Sequence, residues 1–242
     1  MTESSKTEKL PTPQDNVVTT THTLRIRGKT IRYKVDVGTF VLKEEIDKQG
    51  HKPKAEMFFI AFTMDGKKNR IRRPLTFSFN GGPGSSSVWM LLGLLGPKRV
   101  PLSLDDAVAD KRLKPPYQVE NNEFTILEET DLVFIDPIGT GYSRPLPGEE
   151  NDPDEFFTFR RDLDSVGEFI RLYTSRNERW SSPKFLIGES YGTTRAAGLA
   201  GFLQDRYGLY LNGVMLVSAV LNFQTILFNP GNELPFVVYV PT

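Results

Sequence analysis

The sequence predicts an α/β fold in which a mostly parallel, doubly wound sheet lies behind an antiparallel amino-terminal stretch. Three observations predict it. Residues Thr20 to Leu42 alternate polar and apolar, as in "HTLRIRG" and "IRYKVDVGTFVL", the period of half-buried strands. From Pro74 onward the apolar residues come in short, nearly continuous runs, "PLTFSFN", "TDLVFIDP", "PKFLIG" and "NGVMLVSAV", as in strands covered on both faces. Segments of helical period separate these runs, and strands alternating with helices build parallel sheets.

Residues 1–18 are rich in Ser, Thr, Lys, Glu and Pro and read as a disordered polar tail, and 19–242 read as a single domain. The first hairpin turns near Gly28 and Lys29. "EMFFIAFTM", Glu56 to Met64, is a third strand with "DGKKN" as its turn. The clearest helix starts after Asn151, with Asp152 as the expected N-cap, Pro153 at the first helical position and Glu155 as capping-box partner. Phe156, Phe159, Leu163, Val166, Ile170 and Tyr173 then recur at steps of three and four, which makes one apolar face. A second helix follows "KFLIGES" and stops at Gly208. Its Ala196, Ala197, Gly198, Ala200 and Gly201 predict close packing on the sheet. The closing "FVVYV" is a candidate edge strand beside "NGVMLVSAV", which otherwise presents an open apolar edge.

Composition narrows the function classes. Lys plus Arg and Asp plus Glu are both 30, so the chain has no electrostatic footprint for nucleic acid or an anionic membrane. The absence of cysteine excludes disulfides and thiolate chemistry. The polar amino terminus has no apolar signal-type region, and no run approaches membrane-spanning length. A cytoplasmic chain is therefore expected, without a membrane partner, metal or cofactor.

Sites in such sheets form at the carboxyl ends of strands. "PKFLI" ends in Gly188-Glu189-Ser190-Tyr191-Gly192, and a helix follows at once. This is the strand–turn–helix setting in which G-x-S-x-G presents a nucleophile. A tight turn needs neighbours without side chains, and the helix N-terminus favours developing negative charge. A chance match seldom falls in that setting, so Ser190 is read as a nucleophile rather than a turn serine. "FNGGPGSSSVW", Phe79 to Trp89, follows the strand "PLTFS", where a glycine-rich turn can supply an oxyanion-hole N–H. The same residues also suit a plain loop.

Together, "NGGPGSSS", "GTGYS" (Gly139 to Ser143) and "GESYG", in this order and on these strands, resemble the serine carboxypeptidase family of α/β-hydrolases. The resemblance extends from about Thr21 to the last residue, and its absence of the usual cysteine fits a bacterial-type member. It implies Ser190 as nucleophile, the amides of Gly82 and Tyr191 as oxyanion hole, and a peptide with a free C-terminus as substrate. It also implies that Asn80 and Glu189 bind the substrate carboxylate, for which an amide and a protonated carboxyl are both suitable donors. Glu189 read without the resemblance is a surface carboxylate near a helix start.

Three departures matter. Ser85 stands where the family usually has Cys, and Leu94 of "LLGP" stands where it often has a Glu that helps hold the substrate carboxylate. The third is larger: an α/β-hydrolase places its acid and histidine after the nucleophile. Past Ser190 the only Asp is Asp205, and there is no His; His22 and His51 lie among the amino-terminal strands. The expectation is an amino-terminal portion of the fold, truncated before the last strands and inactive alone, with Asp and His downstream. The alternatives are an acyltransferase or esterase on the same fold, or a non-catalytic peptide-binding protein lacking the base.

Overall fold

The computed structural model describes residues 12–48, 50–66, 70–101, 115, 117–147 and 153–238. Strands β1 (Asn16–Ile26), β2 (Lys29–Ile46) and β3 (Gly50–Met64) form an antiparallel meander. The first turn carries Arg27 and Gly28 at φ 46° and 79°, the left-handed pair of a tight hairpin. β1 takes in Asn16 to Val18, which composition assigned to the polar tail. The ladder to Val37, Gly38 and Thr39 on β2 orders them, a long-range pairing that composition does not register. Residues 1–11 lie outside the described residues.

The four apolar runs become β4 (Leu75–Phe79), β7 (Asp131–Ile135), β9 (Lys184–Glu189) and β10 (Gly213–Val217). Two short pairs, β5 (Lys98–Arg99) with β6 (Glu120–Asn121) and β8 (Arg144–Pro145) with β3, complete the strands. The main sheet has the order β1-β2-β3-β7-β4-β9-β10, antiparallel up to β7 and parallel from there. All residues of β4 and β7 are buried, as their continuous apolar character predicts. Successive residues of β7 serve opposite faces. Val133 and Ile135 join a core with Phe40, Phe59, Phe169 and Tyr173; Leu132 and Phe134 join a second with Leu24, Tyr33 and Met90.

Helix α1 (Phe159–Arg176) buries Leu163, Val166, Ile170 and Tyr173 as the periodicity predicts. It starts later than the sequence reading. Thr158 is its N-cap, accepting from Arg161 N at 3.3 Å, and Pro153–Phe157 is a separate 3-10 turn. Glu155 pairs with Arg161 at 3.0 Å instead of closing a capping box, and Asp152 lies outside the described residues. Helix α2 (Tyr191–Tyr207) ends at Gly208 in the left-handed region, φ 61°. Its Gly198 lies against α1: a Cβ there would sit 2.8 Å from Phe159 and 2.9 Å from Leu163. Gly201 meets nothing within 4 Å. Gly198 thus serves helix–helix contact, while Ala196 is buried in the core with Phe77, Phe79 and Leu186 of the sheet. Leu234–Val238 forms a short helix, α3, so Phe236 to Val238 of "FVVYV" are not an edge strand on β10; Tyr239 and Val240 lie outside the described residues. No helix among the described residues is long and apolar enough to cross a membrane.

Candidate active site

Ser190 stands between the end of β9 and the first turn of α2 with φ 56° and ψ −126°. A serine in that region stores about 1–3 kcal/mol of backbone strain, which the surrounding structure must impose. The restraints are visible. Ser190 N donates to Val217 O at 3.0 Å, and its carbonyl accepts from Thr193 N at 2.9 Å and Thr193 Oγ1 at 2.7 Å. The flanking glycines are there for sterics. A Cβ on Gly188 would lie 2.1 Å from Gly192 O, and one on Gly192 would lie 3.0 Å from Phe79 O. The G-x-S-x-G spacing is therefore a packing requirement of this elbow.

The glycine-rich turn after β4 meets the elbow directly. A Cβ on Gly81 would sit 2.4 Å from Tyr191 N, so only glycine lets the two backbones approach this closely. Gly82 follows at φ 103°. Among the described residues, neither the Gly82 nor the Tyr191 amide donates to a protein acceptor. Asn80, 1% exposed, holds the turn with all its groups. Its Oδ1 accepts from Met90 N at 2.9 Å, its Nδ2 donates to Glu189 Oε2 at 3.0 Å, and its carbonyl accepts from Arg195 Nη1 at 2.9 Å. Leu94 lies 45% exposed on a π-helical turn, Met90–Leu95, whose first amide is the one that Asn80 holds. Asn80, Gly82, Glu189, Ser190 and Tyr191 thus come together from two strand ends.

Three charged residues that sequence reasoning passed over complete the surroundings. Asp136 follows β7, and its carboxylate accepts from Ser87 N at 2.8 Å. Burial raises its carboxyl above the ordinary range, opposed by the Ser87 and Tyr142 amides. A Cβ on Gly141 would lie 1.8 Å from Asp136 Oδ2, so the Gly139–Ser143 loop folds tightly onto this carboxylate. Beneath Tyr191, Arg195 Nε donates to both oxygens of Asp162 at 2.9 and 2.8 Å, and the Tyr191 hydroxyl donates to Asp162 at 3.2 Å. The Arg195 guanidinium also lies over the rings of Phe79 and Tyr191, at 5.2 and 5.1 Å. The signal for Asp162 was an acid breaking the buried face of an amphipathic helix.

No histidine joins this group. His22, on β1, stacks on Tyr33 at 5.8 Å, and His51, on β3, lines a separate charged cleft against α1. Asp205 is exposed on α2. Among the described residues no cluster of His, Asp or Glu is arranged to hold a metal ion.

A parallel sheet with an antiparallel start, a strained serine elbow after a central strand and a glycine turn against it define an α/β-hydrolase. Within that class, the chain belongs to the serine carboxypeptidase family, whose model matches residues 46–225. Similar relatives include serine carboxypeptidase-like 35 of Arabidopsis thaliana, 29% identical over 73% of this chain and 35% of its own length. Another is the pheromone-processing carboxypeptidase KEX1 of Saccharomyces cerevisiae, 35% identical over 61% of this chain and 19% of its own. The crystal structure of the prohormone-processing carboxypeptidase KEX1 from Saccharomyces cerevisiae superposes with a TM-score of 0.57 and 25% identity, covering 79% of this chain and 40% of that one. The chain thus spans well under half the length of these relatives. The comparisons also overturn the cytoplasmic expectation, since the similar relatives are carboxypeptidases that process a pheromone and a prohormone. A polar amino terminus and the lack of cysteine do not decide the compartment.

Proposed function

We propose that this chain carries the nucleophile, oxyanion hole and carboxylate grip of a serine-type carboxypeptidase that releases C-terminal residues through an acyl-enzyme on Ser190. The observation that carries the reading is the convergence of the strained Ser190 with the Asn80–Glu189 contact on one glycine-tight turn. Ser190 Oγ attacks the last peptide carbonyl, and the free Gly82 and Tyr191 amides receive the developing oxyanion. Asn80 Nδ2 has a second hydrogen beyond the one given to Glu189, and it reaches for the substrate carboxylate beside the Glu189 side chain. A serine hydroxyl is a weak nucleophile until a base takes its proton. Neither histidine of the chain, His22 or His51, stands at this site, so the reaction needs a base that the described residues do not bring to Ser190.

A peptide with a free C-terminus and its C-terminal amide, offered to protein translated through codon 242 and onward, test the proposal. The acid is hydrolysed, the amide is not, and Ser190→Ala abolishes turnover while a fluorophosphonate labels only Ser190 in the parent. Labelling at another residue overturns it. Peptide-acid binding without turnover, even in the longer protein, would favour a peptide-binding protein that has lost the base.

A further inference from the structure

A cleft of about 550 Å³ has β2 and β3 on one side and α1 with the last turn of α2 on the other. That volume is typical of sites for small organic ligands. Buried Val41, Leu42 and Phe156 line part of it, and much of the rest is charged, six Lys or Arg against four Asp or Glu. Two of the acids are held by arginine forks. Glu168 accepts from Arg171 at 2.8 and 2.6 Å, and Glu44 accepts from Arg161 at 3.1 Å on each oxygen. Lys54 is the unusual member, because it lines the cleft and is only 8% exposed. It sits at a bulge: Leu42 pairs with Ala55 and Lys43 with Pro53, which leaves Lys54 as the extra residue between them. A bulge re-aims side chains. Ala55 belongs to the core that includes Phe169 of α1, and Lys54 lines the cleft against the same helix, so consecutive residues serve one side.

An ammonium set this deep needs an anion near it. Glu44 supplies one. Hydrogen bonds from Arg161 hold its carboxyl below the ordinary range, burial opposes them, and the charges of Lys54 and Arg206 act in the same direction as Arg161. Three cations, from β3, α1 and α2, thus act on one carboxylate, whose side chain is 45% exposed and can turn out into water. Glu155, the other acid on Arg161, does not line the cleft. We propose that this cleft binds a small organic phosphate monoester, its phosphate taking the place of the Glu44 carboxylate among Lys54, Arg161 and Arg206. A phosphate monoester brings about two negative charges and three acceptor oxygens to one point, where a carboxylate brings a single charge. An arginine fork suits it as well as it suits a carboxylate. The excess of two cations on the walls matches a dianion. The organic part occupies the volume beside Val41, Leu42 and Phe156 that a bare phosphate would leave empty.

Phenyl phosphate, phenyl sulfate and inorganic phosphate, titrated calorimetrically into the 242-residue chain at low salt and about pH 8, test it, since phosphates are dianions there and charges are least screened. Phenyl phosphate binds, and the singly charged sulfate and the bare phosphate bind about tenfold more weakly or less. Lys54→Met and Arg206→Gln each weaken phenyl phosphate about tenfold, the loss of one charge-assisted hydrogen bond. A melting curve establishes that Lys54→Met folds, and Arg206 lies exposed on the last turn of α2, where its loss leaves the core intact. Glu44→Gln tightens binding, because the resident carboxylate no longer competes. Glu189→Gln, at the elbow, leaves it as it is. The proposal is overturned by no binding, or by sulfate or bare phosphate binding as tightly as phenyl phosphate. Weaker binding in Glu44→Gln, or binding that survives Lys54→Met and Arg206→Gln but is lost in Glu189→Gln, overturns it equally.

Discussion

Tyr191 is where the parts of the site meet. Its amide faces the Gly81 turn, its ring lies between Arg195 at 5.1 Å and Phe223 at 6.4 Å, and its hydroxyl donates to Asp162. Burial, and after it the Asp162 charge, pushes its phenol up to about 12 from an ordinary 10.0. A folded-state value above the unfolded one means that the neutral phenol favours the fold. That contribution is complete below pH 10 and is lost as pH rises through 12. An ultraviolet difference titration of the parent against Tyr191→Phe should show one tyrosine ionising near 12. Asp162→Asn should bring it part of the way back, since burial is the larger cause. A difference curve with its midpoint at 10 would show the ring to be solvated. Ser190 and its glycines were legible because elbow sterics are local, fixed by residues two apart. The Asp162–Arg195 pair was not, because two residues on different helices leave no joint mark on the sequence.

At the scale of elements, the opposite ends of the strands are tied as firmly as the site ends. Asp131, at the start of β7, accepts from Arg73 Nε at 2.8 Å, Arg179 Nη1 at 2.6 Å and Met64 N at 3.0 Å. Arg179 reaches on to the Arg73 carbonyl at 2.8 Å, so β3, β4, β7 and the segment before β9 are joined by buried charge. Removing the carboxylate leaves two buried guanidinium groups uncompensated. Asp131→Ala should therefore lower stability by about 3–5 kcal/mol, the range for breaking a buried pair. Chemical denaturation of both proteins checks it, and a loss below about 1 kcal/mol would mean that solvent reaches the arginines. Strands were easy to read because central strands, covered on both faces, are nearly continuous in apolar residues. Their extents were harder: β3 begins at Gly50, well before the apolar run at Glu56, because Lys43 to Ile46 supply a partner edge. The start of α1 was misread because Glu155 spends its carboxylate on Arg161, a choice that a capping-box spacing does not reveal.

For the whole molecule, the two edges of the sheet differ in kind. β1 closes one edge with Thr19, Thr20, Thr21 and His22 facing water. β10 closes the other with Val214, Met215 and Leu216 at 37%, 42% and 39% exposure. Further along the chain, Leu221, Phe228 and Val237 are also exposed. The ladder from β10 to β9 is parallel and uses one side of β10, and among the described residues no strand pairs with the far side. Edges of this kind template association unless charge, a bulge or a covering segment blunts them. The 242-residue chain should therefore self-associate, its apparent mass in size-exclusion chromatography with light scattering rising with concentration. Met215→Lys places a charge in the middle of β10 and should shift the distribution toward monomer with the fold retained. An elution as monomer across the whole concentration range, unchanged by Met215→Lys, would mean that this edge is already covered in solution.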